Sequence, residues 1–422
     1  MLNYTPVINS EQIYHRSGWR YVIKLLQEFV NQYNLDANLS GLSKSKKRGV
    51  TVALTNPPFL KVMNTTVGVT LKNPIFKNLT LIDLVDNYYH NPKNPAINQP
   101  WFGFIHSVPD LAQPQPKRSQ RHRHPLHTRS NLASNSKRKP TPTLTSPSPS
   151  PTLSVPTLKQ LLNDPRFKRD LFYCQGIIVF SKYLANCLES EVTLHRFRRL
   201  KIVSLYHPTE LDVTKFNLTS FKQQSRPYLV FIGNQDRRFD RFYKCRVSIH
   251  GSNVSNGVSD GVRDGVVGDG VGVVDDNKTR YHKIVLTGYD PETSYEIVKT
   301  DLARHGINYS PSQQLDCRRL TGEEYDLVLS SSIIVTDLYN SSVNNTVLEC
   351  LARTTPILVN RVGGVEEYLG KDYPLYFDNL LELETKLASP ELFEMAHQYL
   401  CQHDQTFISG EKFKTDLKHS IE

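Results

Sequence analysis

Residues 341–370, which read SSVNNTVLECLARTTPILVNRVGGVEEYLG, combine two asparagines, a threonine, a glutamate and a glycine pair in one short span. NNTVLECLAR is a predicted helix, and the free backbone N–H groups of a first helical turn attract anions. A phosphate or diphosphate would rest on the amides around Asn345 and Thr346. Glu349, one turn further on, is a carboxylate able to accept two hydrogen bonds from the vicinal hydroxyls of a ribose.

The same residues also fit a purely structural role. Thr346 and Glu349 have the spacing of a capping box, in which the glutamate side chain accepts a hydrogen bond from the backbone of the threonine. In that interpretation Thr346 caps the helix and Glu349 has no ligand. The pattern alone leaves both interpretations open.

The elements that must position this segment alternate between helices and short apolar strands. Strands are predicted at WFGFIHSV, GIIVFS and KIVSLYHPTEL in the first half, and at RPYLVFIGN, YHKIVLTGY, SSIIVTDLY and TPILVN in the second. Two runs of βα units, separated near residues 216–226, predict two doubly wound α/β domains. Ligands of such sheets bind at the carboxyl ends of the strands, so facing domains enclose a cleft.

The length of 422 residues is typical of two or three domains. We expect a first domain over 1–215, a second over 226–385 and a helical segment over 386–422. Two inserts interrupt them. Residues 111–156 are rich in Pro, Ser and Thr and predict disorder, whereas residues 250–279 repeat Gly, Val and Asp and predict a surface loop. A stacked repeat that binds calcium is the alternative for the second insert.

The positive charge of the chain is concentrated in the first insert. The formal net charge is +10, and residues 111–156 hold eight Lys and Arg without any Asp or Glu, which leaves about +2 for the rest. The folded part is therefore not strongly basic, and we do not expect nucleic acid as a partner. Attraction through the insert would be salt-sensitive and independent of base sequence.

The segment NNTVLECLARTTPILVNRVGGVEEYLG resembles the donor-site segment of nucleotide-sugar glycosyltransferases of the GT-B fold, the glycosyl transferases group 1 superfamily. The family pattern is a glutamate-bearing helix, Thr-Pro, a strand and Gly-Gly-x-x-Glu, here Glu349, Thr355, Pro356, Gly363, Gly364 and Glu367. The resemblance implies two Rossmann-like domains facing across a cleft. It also implies that Glu349 binds the ribose, and that a hexosyl group passes from a nucleoside-diphosphate sugar to an acceptor hydroxyl without a metal or cofactor.

The sequence departs from the family at two positions of the second domain. A second family glutamate, eight positions before Glu349, is replaced by Ser341, for which Asn344 and Asn345 are candidate substitutes. The family arginine after the glycine of the first strand, Gly233, is replaced by Asn234. The candidate diphosphate ligands are then Arg237, Arg238 and Arg241, because guanidinium groups form a planar fork of donors that suits phosphate.

The resemblance extends to strand ends of the first domain. Gly18 in HRSGW matches the glycine-rich first loop of the family, and His106, after the strand WFGFI, is the candidate catalytic acid or base. His207 is a second acceptor-side candidate. A histidine after a strand is also compatible with ordinary polar surface. Ser181, after GIIVF, is expected to cap a helix.

Cysteine usage and hydropathy indicate a cytoplasmic protein. The six cysteines lie far apart without a CxxC pair, which favours free thiols and no metal site. We identify neither a signal peptide nor an apolar run of about 20 residues, the length that spans a bilayer. A second hypothesis for the function is a degenerate transferase that binds nucleotide-sugar or glycan without transfer, and Ser341 in place of the glutamate favours it.

Overall fold

A computed structural model describes residues 21–29, 32, 52–54, 67–71, 79–82, 85–90, 92, 94, 96–106, 158–194, 200–234, 236–247, 280–309 and 315–422. Both predicted inserts, 111–156 and 250–279, lie outside the described residues, as does Gly18. Every structural statement below concerns the described part of the chain.

The first sheet contains strands β1 to β6, which lie side by side in chain order. Strands β3 to β6 are parallel, while β1 and β2 form an antiparallel edge. The strands are β1 Val52–Leu54, β2 Val67–Leu71, β3 Leu79–Ile82, β4 Trp101–Phe104, β5 Cys174–Val179 and β6 Ile202–Ser204. Strands β4, β5 and β6 confirm three predicted strands, and the structure adds β1 to β3.

Helices cover both faces of this sheet. They are α1 (residues 21–29), α2 Val85–His90, α3 Leu158–Asn163, α4 Pro165–Asp170 and α5 Lys182–Leu194. Successive residues of β5 alternate between the faces, as a strand requires. Ile177 and Val179 join the cluster formed with α2 to α5, whereas Ile178 and Phe180 join the cluster that contains α1.

The second sheet is fully parallel, with the strand order β11-β10-β7-β8-β9. Its strands are β7 Tyr228–Ile232, β8 His282–Leu286, β9 Asp316–Cys317, β10 Ile333–Thr336 and β11 Ile357–Val359. The chain runs outward from β7 in one direction and then from β10 in the other. The carboxyl ends of β7 and β10 therefore form the switch point at which doubly wound sheets bind ligands.

The helices of the second sheet are α6 Leu218–Lys222, α7 Asp240–Lys244, α8 Pro291–Arg304, α9 Gly322–Ser331, α10 Asn345–Arg353 and α11 Val365–Leu369. Helix α8 begins with an Asp-Pro start signal, because the Asp290 side chain accepts a hydrogen bond from the backbone N–H of Thr293 and Pro291 is the first helical residue. The α/β class is confirmed, with two separate sheets whose strands are parallel except at the antiparallel edge formed by β1 and β2.

The last three helices are α12 Leu380–Ala388, α13 Pro390–Gln402 and α14 Gly410–Ile421. Helix α14 leaves the second sheet and packs on the first. The ring of Phe413 lies 6.3 Å from that of Phe104 and 6.2 Å from that of Phe180, and Lys414 Nζ lies 3.4 Å from the Glu28 carboxylate. One hydrophobic cluster thus continues from the first sheet to the second. The domain limits read from the sequence stay a prediction.

Replacing Phe413 with alanine tests this packing. Removal of a buried phenyl group leaves a cavity, so we expect Phe413→Ala to lower the free energy of unfolding by about 3–5 kcal/mol. Phe172→Ala is the matched control, because Phe172 is 85% exposed, and its effect should stay within about 0.5 kcal/mol. Urea titration measures both values, and equal effects would contradict the packing of α14.

Candidate functional site

Helix α10 begins at the switch point, and its cap differs from the prediction. Asn344 has an extended backbone and is the N-cap, since its side-chain oxygen accepts a hydrogen bond from the Val347 N–H at 3.3 Å. Asn345 is then the first helical residue and is exposed, while Thr346 is the second and is buried. Of the two interpretations, the capping box is wrong, because Asn344 caps the helix and Thr346 already lies inside it.

Glu349 is 1% exposed and bonds to a tyrosine from the neighbouring helix. The Tyr325 hydroxyl, in the first turns of α9, donates a hydrogen bond to Glu349 Oε2 at 2.6 Å. Burial, reinforced by the negative charge of Glu349, holds the pKa of Tyr325 well above its usual value, so the hydroxyl stays a donor. The Tyr325 hydroxyl thereby fixes the position of one Glu349 carboxylate oxygen. No spacing in the sequence identifies Tyr325 as this partner.

Two of the three candidate arginines neutralise a buried carboxylate. Asp337, which follows β10, lies 2.6 Å from Arg238 Nη2 and 3.3 Å from Arg241 Nη1. Burial raises the pKa of Asp337 to about 6, and the two guanidinium groups oppose that rise. Arg238 also stacks on the Tyr339 ring, with its guanidinium carbon 5.5 Å from the ring centroid. A diphosphate role for Arg238 or Arg241 would have to compete with Asp337.

Arg237 occupies a different position, against the glycine that ends β7. Its Nε donates a hydrogen bond to the Ile232 carbonyl oxygen at 3.2 Å. Gly233 has a φ of +99°, a backbone conformation that favours glycine, and a Cβ atom there would lie 2.9 Å from the Arg237 side chain. Burial lowers the pKa of Arg237 to about 10. The guanidinium therefore lies at the carboxyl end of β7, on the same edge as α10.

The glycine pair packs directly on the loop that precedes α10. A Cβ atom on Gly363 would lie 1.9 Å from the Ser341 carbonyl oxygen, and one on Gly364 would lie 2.1 Å from the Ser342 carbonyl oxygen. The Gly364 N–H donates a hydrogen bond to the Ser341 carbonyl at 2.9 Å. Ser341, at the position of the second family glutamate, is therefore buried beneath the glycine pair.

Glu367 connects the two sheets. Its carboxylate accepts hydrogen bonds from the Lys182 N–H at 2.7 Å and the Tyr183 N–H at 2.6 Å, both in the first turn of α5. Ser181 is the N-cap of α5, as predicted, because its hydroxyl accepts a hydrogen bond from Leu184 N–H at 3.1 Å. Ser181 also bonds to the Ser342 hydroxyl at 3.0 Å. In this structure the Glu367 carboxylate binds the backbone of the first domain. Its predicted role in binding the nucleotide-sugar stays a prediction.

The two candidate histidines lie near one another but differ in exposure. His207 is buried against the Phe180 ring, its Nδ1 lies 2.9 Å from the Pro208 carbonyl oxygen, and burial lowers its pKa to about 3. It is therefore neutral at physiological pH. His106 follows β4, is partly exposed, and its charge contributes to the lowered pKa of His207. Of the two histidines, only His106 is exposed enough to exchange a proton with a ligand.

The described residues contain no cluster of His, Cys, Asp and Glu that could hold a metal ion. Within the same ranges, no helix has the length and apolar character needed to cross a membrane. The six cysteines are free thiols.

Comparison with solved structures finds proteins of low similarity. Sucrose-phosphate synthase from Thermosynechococcus elongatus is 11% identical, with a TM-score of 0.45, covering 76% of this chain and 66% of that one. Anabaena HepE in complex with UDP-glucose is 7% identical, with a TM-score of 0.41, covering 61% and 67%. A UDP-forming α,α-trehalose-phosphate synthase from Burkholderia vietnamiensis is 10% identical, with a TM-score of 0.40, covering 76% and 68%.

The chain spans about two thirds of the length of these proteins. No family model and no curated protein matches the sequence. We therefore assign the fold class from the two sheets and not from these comparisons.

Glu367→Ala tests the contact between the sheets. Loss of two charge-assisted hydrogen bonds at the start of α5 should lower the free energy of unfolding by about 1–2 kcal/mol. Glu366→Ala is the matched control, because the neighbouring Glu366 pairs only with Arg361 at the surface in the described structure, and its effect should stay within about 1 kcal/mol. Chemical denaturation of both variants measures the free energies of unfolding. Equal losses in Glu367→Ala and Glu366→Ala would contradict a special role for Glu367.

His207 predicts a pH dependence of stability. Its folded pKa lies below the unfolded one, so below about pH 6.5 the unfolded chain binds a proton that the folded chain does not. The stabilisation is present above that pH and is lost by about 1.4 kcal/mol per unit as the pH falls towards 3. Between pH 7 and 5, the parent should lose about 2 kcal/mol more than His207→Asn. Urea midpoints at both pH values measure this, and parallel losses would refute it.

Proposed function

We propose that the protein is a glycosyltransferase that moves a hexosyl group from a nucleoside-diphosphate sugar to an acceptor hydroxyl without a metal ion. The observation that carries this proposal is the convergence of three features at one switch point. These are the start of α10, the carboxylate of Glu349 and the guanidinium of Arg237. Together they match the three parts of a nucleoside diphosphate, namely two phosphates and a ribose.

The phosphates would lie on the first turn of α10. Asn345 is exposed there, and the positive end of the helix dipole favours negative charge. Arg237 adds a permanent cation at the neighbouring strand end, because its lowered pKa of about 10 still leaves it charged at neutral pH. These groups would stabilise the departing diphosphate, whose charge increases in the transition state.

Glu349 would accept hydrogen bonds from the ribose hydroxyls. Its Oε2 already accepts one from Tyr325, and a carboxylate has capacity for further donors on both oxygens. Tyr325 therefore acts as a positioning residue that fixes the plane of the carboxylate. In the first domain, His106 would contact the acceptor, while buried His207 supports the neighbouring backbone.

A second candidate function is binding without transfer. Ser341 provides no carboxylate near a transferred sugar, and the residue is buried beside the glycine pair. The contacts of Ser342 and Glu367 with α5 also bring the two domains together at this edge. A protein that retains the nucleotide site and has lost turnover would have these features.

Nucleotide affinity and turnover separate the two candidates. Calorimetry with UDP and GDP, and a hydrolysis and transfer assay with UDP-glucose and GDP-mannose, should be run on the parent, Glu349→Gln and Arg237→Gln. We expect each variant to bind at least tenfold more weakly, a loss of about 1.4 kcal/mol. Glu394→Gln is the control, because Glu394 pairs with Lys222 at the exposed surface of α13.

The outcomes are distinct. Binding with turnover supports the transferase, and saturable binding without product over hours supports the binding protein. Unchanged affinity in Glu349→Gln would contradict the assignment of the donor site.

A further inference from the structure

The turn that joins α4 to β5 exposes two aromatic side chains. Phe172, in a 3-10 turn over Leu171–Tyr173, is 85% exposed, and Tyr173 is 36% exposed. Their rings contact each other edge to face, with the centroids 5.2 Å apart. Leu171 is buried, so the turn packs its first side chain into the domain and directs the next two into solvent. Two adjacent aromatic rings in water form an apolar surface that a partner would cover favourably.

Hydrogen bonds fix this turn to the body of the first domain. The side chain of Asp170, which directly precedes the turn, is buried and accepts from the Tyr89 hydroxyl and the Ile97 N–H, both at 3.0 Å. The Asp170 carbonyl oxygen accepts from Nε1 of Trp101 at 2.9 Å. The two rings are therefore held in a fixed position, so a partner that covers them orders little further backbone. Because β5 begins directly after the turn, the rings lie at the amino-terminal edge of the sheet, opposite the start of α5.

The side chains next to the rings carry positive charge. Lys168 lies four residues before Phe172, and Arg169 lies four residues before Tyr173, a spacing that places each base on the same side of the helical turn as a ring. The buried Asp170 carboxylate pairs with Arg169 at 2.9 Å, yet the Arg169 side chain stays 57% exposed. None of the ion pairs found among the described residues includes Lys168. The surface around the rings is therefore positive and complements a negatively charged partner.

The sequence that leads into α3 and α4 adds charge of the same sign. Residues 111–156, which end two positions before Leu158, the first residue of α3, hold eight Lys and Arg and no Asp or Glu. This segment is covalently joined to the helices that carry the rings, so its charge attracts the same kind of partner. The docking surface itself is defined by four described residues and is called the aromatic–basic turn: Lys168, Arg169, Phe172 and Tyr173.

A membrane surface suits the aromatic–basic turn better than a protein does. Two aromatic side chains bury about 300–500 Å² in all, whereas a stable protein interface takes about 800 Å² from each partner. A membrane surface needs no such area, because a protruding ring enters the fluid boundary between headgroups and acyl chains. Anionic headgroups also lie directly above that apolar layer, so one surface meets both the rings and the bases.

We propose that the aromatic–basic turn docks the protein on a membrane surface that contains anionic lipids. The Phe172 ring enters the acyl boundary, and the amphipathic Tyr173 ring lies at the level of the headgroups. Lys168 and Arg169 contact the lipid phosphates. The turn and the contact between the sheets lie at opposite edges of the first sheet, so docking leaves that contact free. The proposal does not rest on the proposed transferase function, and either can fail without the other.

The test is co-sedimentation of the full chain with vesicles of phosphatidylcholine alone and of phosphatidylcholine mixed with phosphatidylserine. We expect the parent to bind the mixed vesicles and to lose that binding as the salt concentration rises. The double variant Phe172→Ser/Tyr173→Ser should bind about tenfold more weakly, and Lys168→Gln about fivefold. The matched controls are Leu381→Ser, at a leucine of α12 that is 73% exposed, and Lys371→Gln, at an exposed lysine of the second domain. Both should bind as the parent does.

A tryptophan in the turn reports on its insertion directly. The emission of Phe172→Trp should shift to shorter wavelength when mixed vesicles are added, whereas that of Leu381→Trp should not. The melting temperatures of all variants should equal that of the parent, because the replaced side chains face solvent.

Four results would each overturn the proposal. They are absence of vesicle binding by the parent, an unshifted emission of Phe172→Trp, and equal binding by Phe172→Ser/Tyr173→Ser, which would assign the attraction to charge alone. The fourth is self-association of the parent without vesicle binding, abolished in the same double variant, which would assign the turn to a second copy of this chain.

Discussion

The packing of Gly363 and Gly364 on the backbone of Ser341 and Ser342 is the contact on which the candidate site depends. Neither glycine has space for a Cβ atom, and the Gly364 N–H bonds to the Ser341 carbonyl. The contact holds the loop after β10 against the start of α11. That loop leads into the cap of α10, so the start of α10 and the position of α11 are set together.

The same contact determines how the two sheets meet. Glu367 lies in the first turn of α11 and binds the first amides of α5, while the Tyr368 hydroxyl donates to the Phe180 carbonyl and accepts from the His207 N–H. Ser342 reaches Ser181 beside them. A ligand that shifts the loop before α10 would therefore also shift contacts with the first domain. This coupling is what a protein needs if two substrates must meet between two domains.

The sequence predicted the local elements well, because strands β4 to β8, β10 and β11 are short apolar runs and α8 starts with Asp-Pro. Prediction from the sequence failed where two local signals compete, or where the contacting residues are distant along the chain. Asn344 and Thr346 are both acceptable caps, and only the extended backbone of Asn344 decides between them. Tyr325 and Asp337 come close to the predicted site residues through the tertiary fold, so no spacing identified them or distinguished Arg237 from Arg238 and Arg241.

Hydrogen exchange across the domain contact tests the central claim, that the glycine pair couples the α10 loop to the first domain. In Gly364→Ala, the added Cβ atom would lie 2.1 Å from the Ser342 carbonyl oxygen and 2.9 Å from Ser181 Cβ, so the amides of Lys182 and Tyr183 should exchange faster than in the parent. Gly322→Ala is the control, because nothing lies within 4 Å of a Cβ atom there. Faster exchange at both amides in Gly364→Ala alone is the predicted result, and unchanged exchange in a folded Gly364→Ala would contradict the account.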